Sequence, residues 1–154
     1  MKFVFVILMA SLLLFGCEKE EIMTIPTDKP LTVQESAMTE TASGLKYSDV
    51  QSGSGEIAKK GDFVSVHYSG YLTDGNRFDS SVLRNKAFVF QLGQGRVIAG
   101  WEEGVEGMKV GGIRQLVIPP QLGYGERGAG GVIPPNATLI FDVQLLDVSD
   151  KPIN

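Results

Sequence analysis

The sequence predicts an α+β domain, a curved antiparallel β-sheet of about five strands wrapped around one short α-helix. Three observations carry this reading. In "DFVSVHYSGYL" and "ATLIFDVQLLDV" apolar residues recur at every second position, as in strands with one buried face. Only one stretch, with Ile98, Trp101, Val105 and Met108, spaces its apolar residues as a short helix does. Gly, Pro and Asp clusters punctuate the segments between, Asp74-Gly75 and Pro119-Pro120 being the clearest turn and strand-end signals.

The length of 154 residues suits one domain with a real core and is short for two. Apolar residues make up 43% and charged residues 21%, a globular composition, but much of the apolar share sits at the start. Residues 1–16, "MKFVFVILMASLLLFG", place one Lys before an apolar run shorter than the roughly 20 residues of a membrane span, as a signal peptide does. "LLFGC" then resembles the lipobox of bacterial lipoproteins. That resemblance implies a mature chain beginning at a diacylglycerol-modified Cys17, with palmitate-type acylation and a lipid anchor in a bacterial membrane. Phe15 departs from the smaller residue usual two places before the cysteine.

Cys17 is the only cysteine, so no intrachain disulfide is possible and the mature domain has no thiol nucleophile. One histidine cannot build a His-rich zinc site, so no metal and no cofactor is expected. Residues 17–42 carry six acidic and two basic residues without a sustained period, and read as the lipidated cysteine and a flexible acidic tether. Their start, "CEKEE", has a short resemblance to a surface-export signal, but a solvated linker is the simpler reading. From residue 43 onward 11 basic residues face 12 acidic ones, a near balance that suggests no nucleic-acid footprint.

Within the domain, residues 43–148, "LKYSDV" begins a short strand that breaks into Gly and Ser. Asp62 opens a longer strand whose Val64, Val66 and Tyr68 share a buried face, which turns His67 the other way. "TDGNRFD" reads as a turn, and Ala87 to Leu92 as the third strand. The helix follows; Gly100, Gly104 and Gly107 each lower its intrinsic stability by about 1 kcal/mol, so packing must hold it. "IRQLVIPP" is a strand ended by two prolines, and the last strand sets Leu139, Phe141, Val143 and Leu145 on one face. Between them "GYGERGAGGVIPPN" is glycine-rich, either a surface hairpin or a flap over a ligand site. Residues 149–154 form a C-terminal tail.

The segments "VHYSGYLTDGNRFDSSVLRNKAFVFQLGQGRVIAGWEEGVEGMKVGG" and "LVIPPQLGYGERGAGGVIPPNATLIFDVQLL" closely resemble the FKBP-type peptidyl-prolyl cis-trans isomerases, particularly bacterial members. The resemblance covers essentially the whole domain and implies an FKBP-like fold. It further implies a pocket between sheet and helix with Tyr68, Asp79, Trp101 and Tyr124 in catalytic positions. Phe78, Phe88, Val97, Ile98, Val132, Ile133 and Phe141 would bind substrate. Trp101 would form the floor beneath the substrate proline, the Ile98 N–H and the Tyr124 hydroxyl would hold carbonyl oxygens, and Asp79 would meet Tyr68 and Arg84. The glycine-rich run would be the flap, with Val132 and Ile133 overhanging the site. Where familiar eukaryotic members have a flap histidine, this chain has Ala129, so no imidazole role carries over. Phe63, Tyr71 and Phe90 read as ordinary core.

The activity so implied is isomerisation of X-Pro bonds in extracytoplasmic proteins, assisting folding at a membrane surface. Proline-containing polypeptides would be substrates, macrolides such as tacrolimus or rapamycin would bind, and the short flap and aperiodic tether favour a monomer. Two other readings stand beside it: a binding module that captures proline-containing partners without turnover, and a tethered scaffold.

Overall fold

The computed structural model describes residues 24–154; the segment read as a signal peptide and Cys17 lie outside them. Seven strands and one α-helix follow in chain order: β1 (Thr39–Glu40), β2 (Lys46–Gln51), β3 (Phe63–Leu72), β4 (Arg77–Ser80), β5 (Phe88–Gln91), α1 (Ala99–Val105), β6 (Ile113–Ile118) and β7 (Leu139–Ser149). All pairings are antiparallel in the order β1-β2-β6-β7-β3-β4, and β5 pairs with the first half of β3 along the same edge as β4.

The expected class holds, but the strand count rises from about five to seven. The two unexpected strands, β1 and β4, are short and lack apolar alternation, so their pairing comes from their neighbours. β1 folds back on Lys46 and Tyr47, and β4 is the return arm of the Asp74-Gly75 turn, pairing with Ser69 to Tyr71. A four-residue polar strand leaves no period for sequence reading to detect.

The helix lies across the concave face. Its glycines, costly for an isolated helix, are what permit the packing: a Cβ on Gly100 would come within 2.6 Å of Ile118, and one on Gly104 within 2.6 Å of Leu116. The helix backbone therefore rests directly on β6. Trp101, Val105 and, just beyond the helix, Met108 are buried in one core with Val64, Val66, Leu139, Val143 and Leu145. Arg114 anchors the far end, donating from Nε and Nη2 to Asp49 at 2.7 and 3.0 Å and from Nη1 to the Gly104 carbonyl at 3.0 Å.

The convex face departs from expectation. Residues 24–42, read as part of a flexible tether, lie along the sheet. Ile25 is buried, and the Pro26 carbonyl accepts the Tyr71 hydroxyl at 2.9 Å. The Leu31 N–H donates to Asp142 Oδ2 at 2.8 Å, while the Gln115 amide donates to the Leu31 carbonyl and to Asp142 Oδ1, each at 2.8 Å. Thus a completely buried carboxylate and a buried amide on β7 and β6 clasp one residue of an extended strap. Few of the strap's residues are apolar, which is why its composition resembles a linker. Its binding depends on backbone groups meeting polar side chains on the sheet.

Candidate active site

Strand register brings the cleft together. Tyr68 on β3 faces Val143, and Gly70 faces Phe141 on β7, so these positions share the concave side. A side chain at Gly70 would strike the rings of Phe78 and Phe141, each 2.7 Å from an added Cβ. Its absence lets those rings meet edge to face, with centroids 5.5 Å apart. Trp101 sits beneath, edge-on to Tyr68 at 5.0 Å and to Phe141 at 5.3 Å. Phe88 closes another wall 6.0 Å from Trp101. The result is an open cleft lined by Tyr68, Phe78, Asp79, Phe88, Arg96, Val97, Ile98, Trp101, Tyr124 and Phe141.

The polar groups are few and ordered. Tyr68 donates to Asp79 Oδ2 at 2.5 Å and accepts from Arg84 Nη2 at 3.0 Å, and Arg84 also pairs with Asp79 Oδ1. Burial first, and the neighbouring Asp79 second, push the Tyr68 hydroxyl up to about 12. Burial raises the Asp79 carboxyl, but hydrogen bonds from Tyr68, Arg84 and the Ser80 N–H outweigh it, and the group titrates below its ordinary value. Tyr68 therefore remains a hydrogen-bond donor and Asp79 an anion throughout the neutral range. At the rim Tyr124 is exposed. The Ile98 N–H, just before the helix, makes no hydrogen bond among the described residues, although its carbonyl accepts from Trp101 and Glu102. The buried Trp101 Nε1 likewise has no partner among the described residues.

Nine of the eleven residues expected to bind or transform substrate thus converge on one cleft. Val132 and Ile133 do not. Ile133 turns inward and joins the core, while Val132 points to solvent, and neither lines the cleft. A tight bridge causes this: Ala129 and Ile133 exchange backbone hydrogen bonds of 3.0 Å in both directions. The bridge needs Gly128, whose φ of 61° and ψ of −161° suit only glycine and whose Cβ would lie 2.2 Å from the Ile133 carbonyl. The glycine-rich run folds on itself, and of its residues Tyr124 alone lines the cleft. Phe90, read as core, is buried in it and stacks on Phe88 at 5.6 Å, behind the cleft wall. One lining residue lies outside the expected set. Arg96 lines the cleft, and its only sequence signal is its position two residues before Ile98. His67 is on the opposite side of β3, its Nδ1 2.9 Å from Ser81 Oγ.

A family profile described as FKBP-type peptidyl-prolyl cis-trans isomerase matches residues 54–146. The FK506-binding protein of Neisseria meningitidis serogroup B is 55% identical over 105 residues, 68% of this chain and 96% of that protein. The probable FKBP-type peptidyl-prolyl cis-trans isomerase of Haemophilus influenzae is 55% identical over 111 residues, 72% of this chain and 45% of that one. Among solved structures, FkpA from Escherichia coli superposes with a TM-score of 0.71 at 46% identity, over 77% of this chain and 55% of that chain. AtFKBP13 superposes with a TM-score of 0.69 at 40% identity, over 73% and 98%. With the profile spanning most of the domain and more than half of the residues shared along nearly all of a relative, the chain belongs to the FKBP-type peptidyl-prolyl cis-trans isomerase family.

Proposed function

We propose that this isomerase is a monomer anchored through lipid on Cys17, that it catalyses X-Pro rotation in extracytoplasmic proteins at a membrane surface, and that the cleft above Trp101 is where it does so. The observation that carries the catalytic part is an apolar, aromatic-floored cleft with unused backbone and indole donors. Prolyl rotation needs no broken bond. It must cross a barrier of roughly 18 to 20 kcal/mol because the twisted amide loses conjugation. In the twisted state the nitrogen is more amine-like and the carbonyl less dipolar, so a dry cleft penalises the planar ground state more.

On this reading the substrate proline rests on Trp101 between Phe78, Phe88 and Phe141. The Ile98 N–H and Tyr124 hydroxyl hold the flanking carbonyls, which keeps the peptide bent as the bond turns. A barrier lowered by about 4 kcal/mol corresponds to a rate gain on the order of a thousandfold. Asp79 acts by fixing the Tyr68 hydroxyl and Arg84. The test is a peptide cis-trans assay with and without tacrolimus: acceleration abolished by stoichiometric macrolide supports the site, and acceleration insensitive to it defeats the assignment.

Asp79→Ala is expected to lower turnover about tenfold and to cost about 1 to 3 kcal/mol of stability, since the substantially exposed pair with Arg84 contributes little but the part-buried Tyr68 hydroxyl loses its acceptor. The sign with pH follows from the lowered carboxyl. The pair's stabilisation is present above the ordinary carboxylate value of 3.8 and is lost as pH falls through the depressed folded value. Turnover should accordingly show no Asp79 or Tyr68 titration between about pH 5 and 9. A large fall in melting temperature with unchanged turnover would make Asp79 purely structural.

The anchor rests on the sequence "LLFGC" and on Cys17 being the only cysteine. Cys17→Ser should abolish incorporation of labelled palmitate and release the protein from membranes, and persistent labelling would defeat the anchor.

A further inference from the structure

The mouth of the cleft carries a charge that the isomerisation mechanism does not use. Arg96 lines the cleft, is exposed, and forms no ion pair among the described residues. The one carboxylate lining the cleft, Asp79, is already engaged by Tyr68, Arg84 and the Ser80 N–H. The helix acids do not neutralise Arg96 either. Glu102, Glu103 and Glu106 line a separate groove with Gly95, Val97 and Ala99. Glu102 accepts the Gly93 N–H on one oxygen and the Gly95 N–H, at 2.9 Å, on the other. Glu103 accepts the Ser43 hydroxyl. Along the run leading into the helix, Gly95 and Ala99 border the acidic groove, whereas Arg96 and Ile98 border the cleft. The guanidinium is thus a free cation two residues from the backbone N–H available to a substrate carbonyl.

We infer that Arg96 is a specificity-determining residue that favours substrates carrying a carboxylate on a residue flanking the proline. The inference rests on the cleft being the substrate site. Arg96 touches no reacting atom; it selects among charged neighbours of the proline by ordinary Coulomb attraction at the rim. An exposed pair of this kind is worth about 0.2 to 1 kcal/mol, a preference of up to about fivefold, and salt screens it. A guanidinium can also hold a carboxylate through two parallel hydrogen bonds, which an ammonium cannot.

The experiment uses the full chain in detergent and matched peptides with Glu, Gln, Lys or Leu either before or after the proline. kcat/KM is measured at low and at about 1 M salt. Affinity is followed through the fluorescence of Trp101, the only tryptophan in the chain. At one of the two flanking positions Glu should exceed Gln by about threefold, with Lys lowest, and the ordering should collapse at high salt. In R96Q the Glu-to-Gln ratio should fall to about one, and R96K should restore part of it. Equal values for Glu and Gln at both positions in the wild-type protein, or a ratio unchanged in R96Q, overturn the inference. Failure to turn over any peptide, Leu-Pro included, counts against the assignment of the cleft as catalytic. The fluorescence titration still decides the charge preference in that case.

Discussion

Trp101→Ala is expected to be the most damaging single change, lowering kcat/KM at least about a hundredfold and destabilising the fold by about 3 to 5 kcal/mol. Both effects come from the same ring. Its upper side is the floor of the cleft, and its edges meet Tyr68, Phe88, Phe90 and Phe141, with centroid separations of 5.0 to 6.0 Å. Removing it opens a void beneath four aromatic rings that cannot collapse inward, because Gly100 and Gly104 already hold the helix against Ile118 and Leu116. The walls lose their support, so on the proposed binding mode a substrate proline would lose both its platform and its shaped enclosure. Urea unfolding gives the stability loss, and the rate per folded molecule gives the catalytic one. Trp101→Phe separates them. It should recover most of the stability, since a ring still fills the core, and less of the activity, since the floor is smaller and the indole N–H is gone. Wild-type turnover in a folded Trp101→Ala protein would sink the cleft as the catalytic site.

Deleting the strap is the second large effect. A fragment of residues 43–154 should be about 3 kcal/mol less stable than residues 24–154, a drop of about 10 °C in melting temperature, with the rate per folded molecule little changed. Burial of Ile25 contributes about 1.5 to 3 kcal/mol. The Leu31 N–H to Asp142 hydrogen bond adds about 0.5 to 1.5 kcal/mol. Asp142 supplies a readout that general loosening would not. Burial raises its carboxyl above the usual value, with Gln115 and the Leu31 N–H only partly offsetting this. Its share of stability is therefore full below 3.8 and lost as pH rises through the raised folded value, the opposite of Asp79. Without the strap the carboxylate is wetted, and its titration, followed by NMR, should move back toward the ordinary carboxylate range. Equal unfolding midpoints for the two fragments, with unmoved Asp142 titration, would show that the strap is only laid on the surface.

The sequence by itself determined the elements with a strong local signal. Val64, Val66 and Tyr68 on β3 and Leu139, Phe141, Val143 and Leu145 on β7 announce their faces through a period of two, and all of them are buried. The single helix was legible from Ile98, Trp101 and Val105, and the cleft residues were legible because the resemblance attached roles to particular positions. Tertiary structure alone decided the rest, for reasons that are not local. β4 and β1 exist because a neighbour offers unpaired backbone groups. The helix glycines, a liability in isolation, become necessary once the helix lies on β6. Ile133 leaves the cleft because the Ala129–Ile133 bridge turns it into the core. A polar segment reads as linker from its composition, yet residues 24–33 dock because Asp142 and Gln115, 111 and 84 residues from Leu31, are buried where its N–H and carbonyl arrive. Period and composition report what a residue prefers near its own neighbours. Hydrogen bonds and ring contacts made across the sheet depend on which distant groups meet, and only the closed fold brings those groups together.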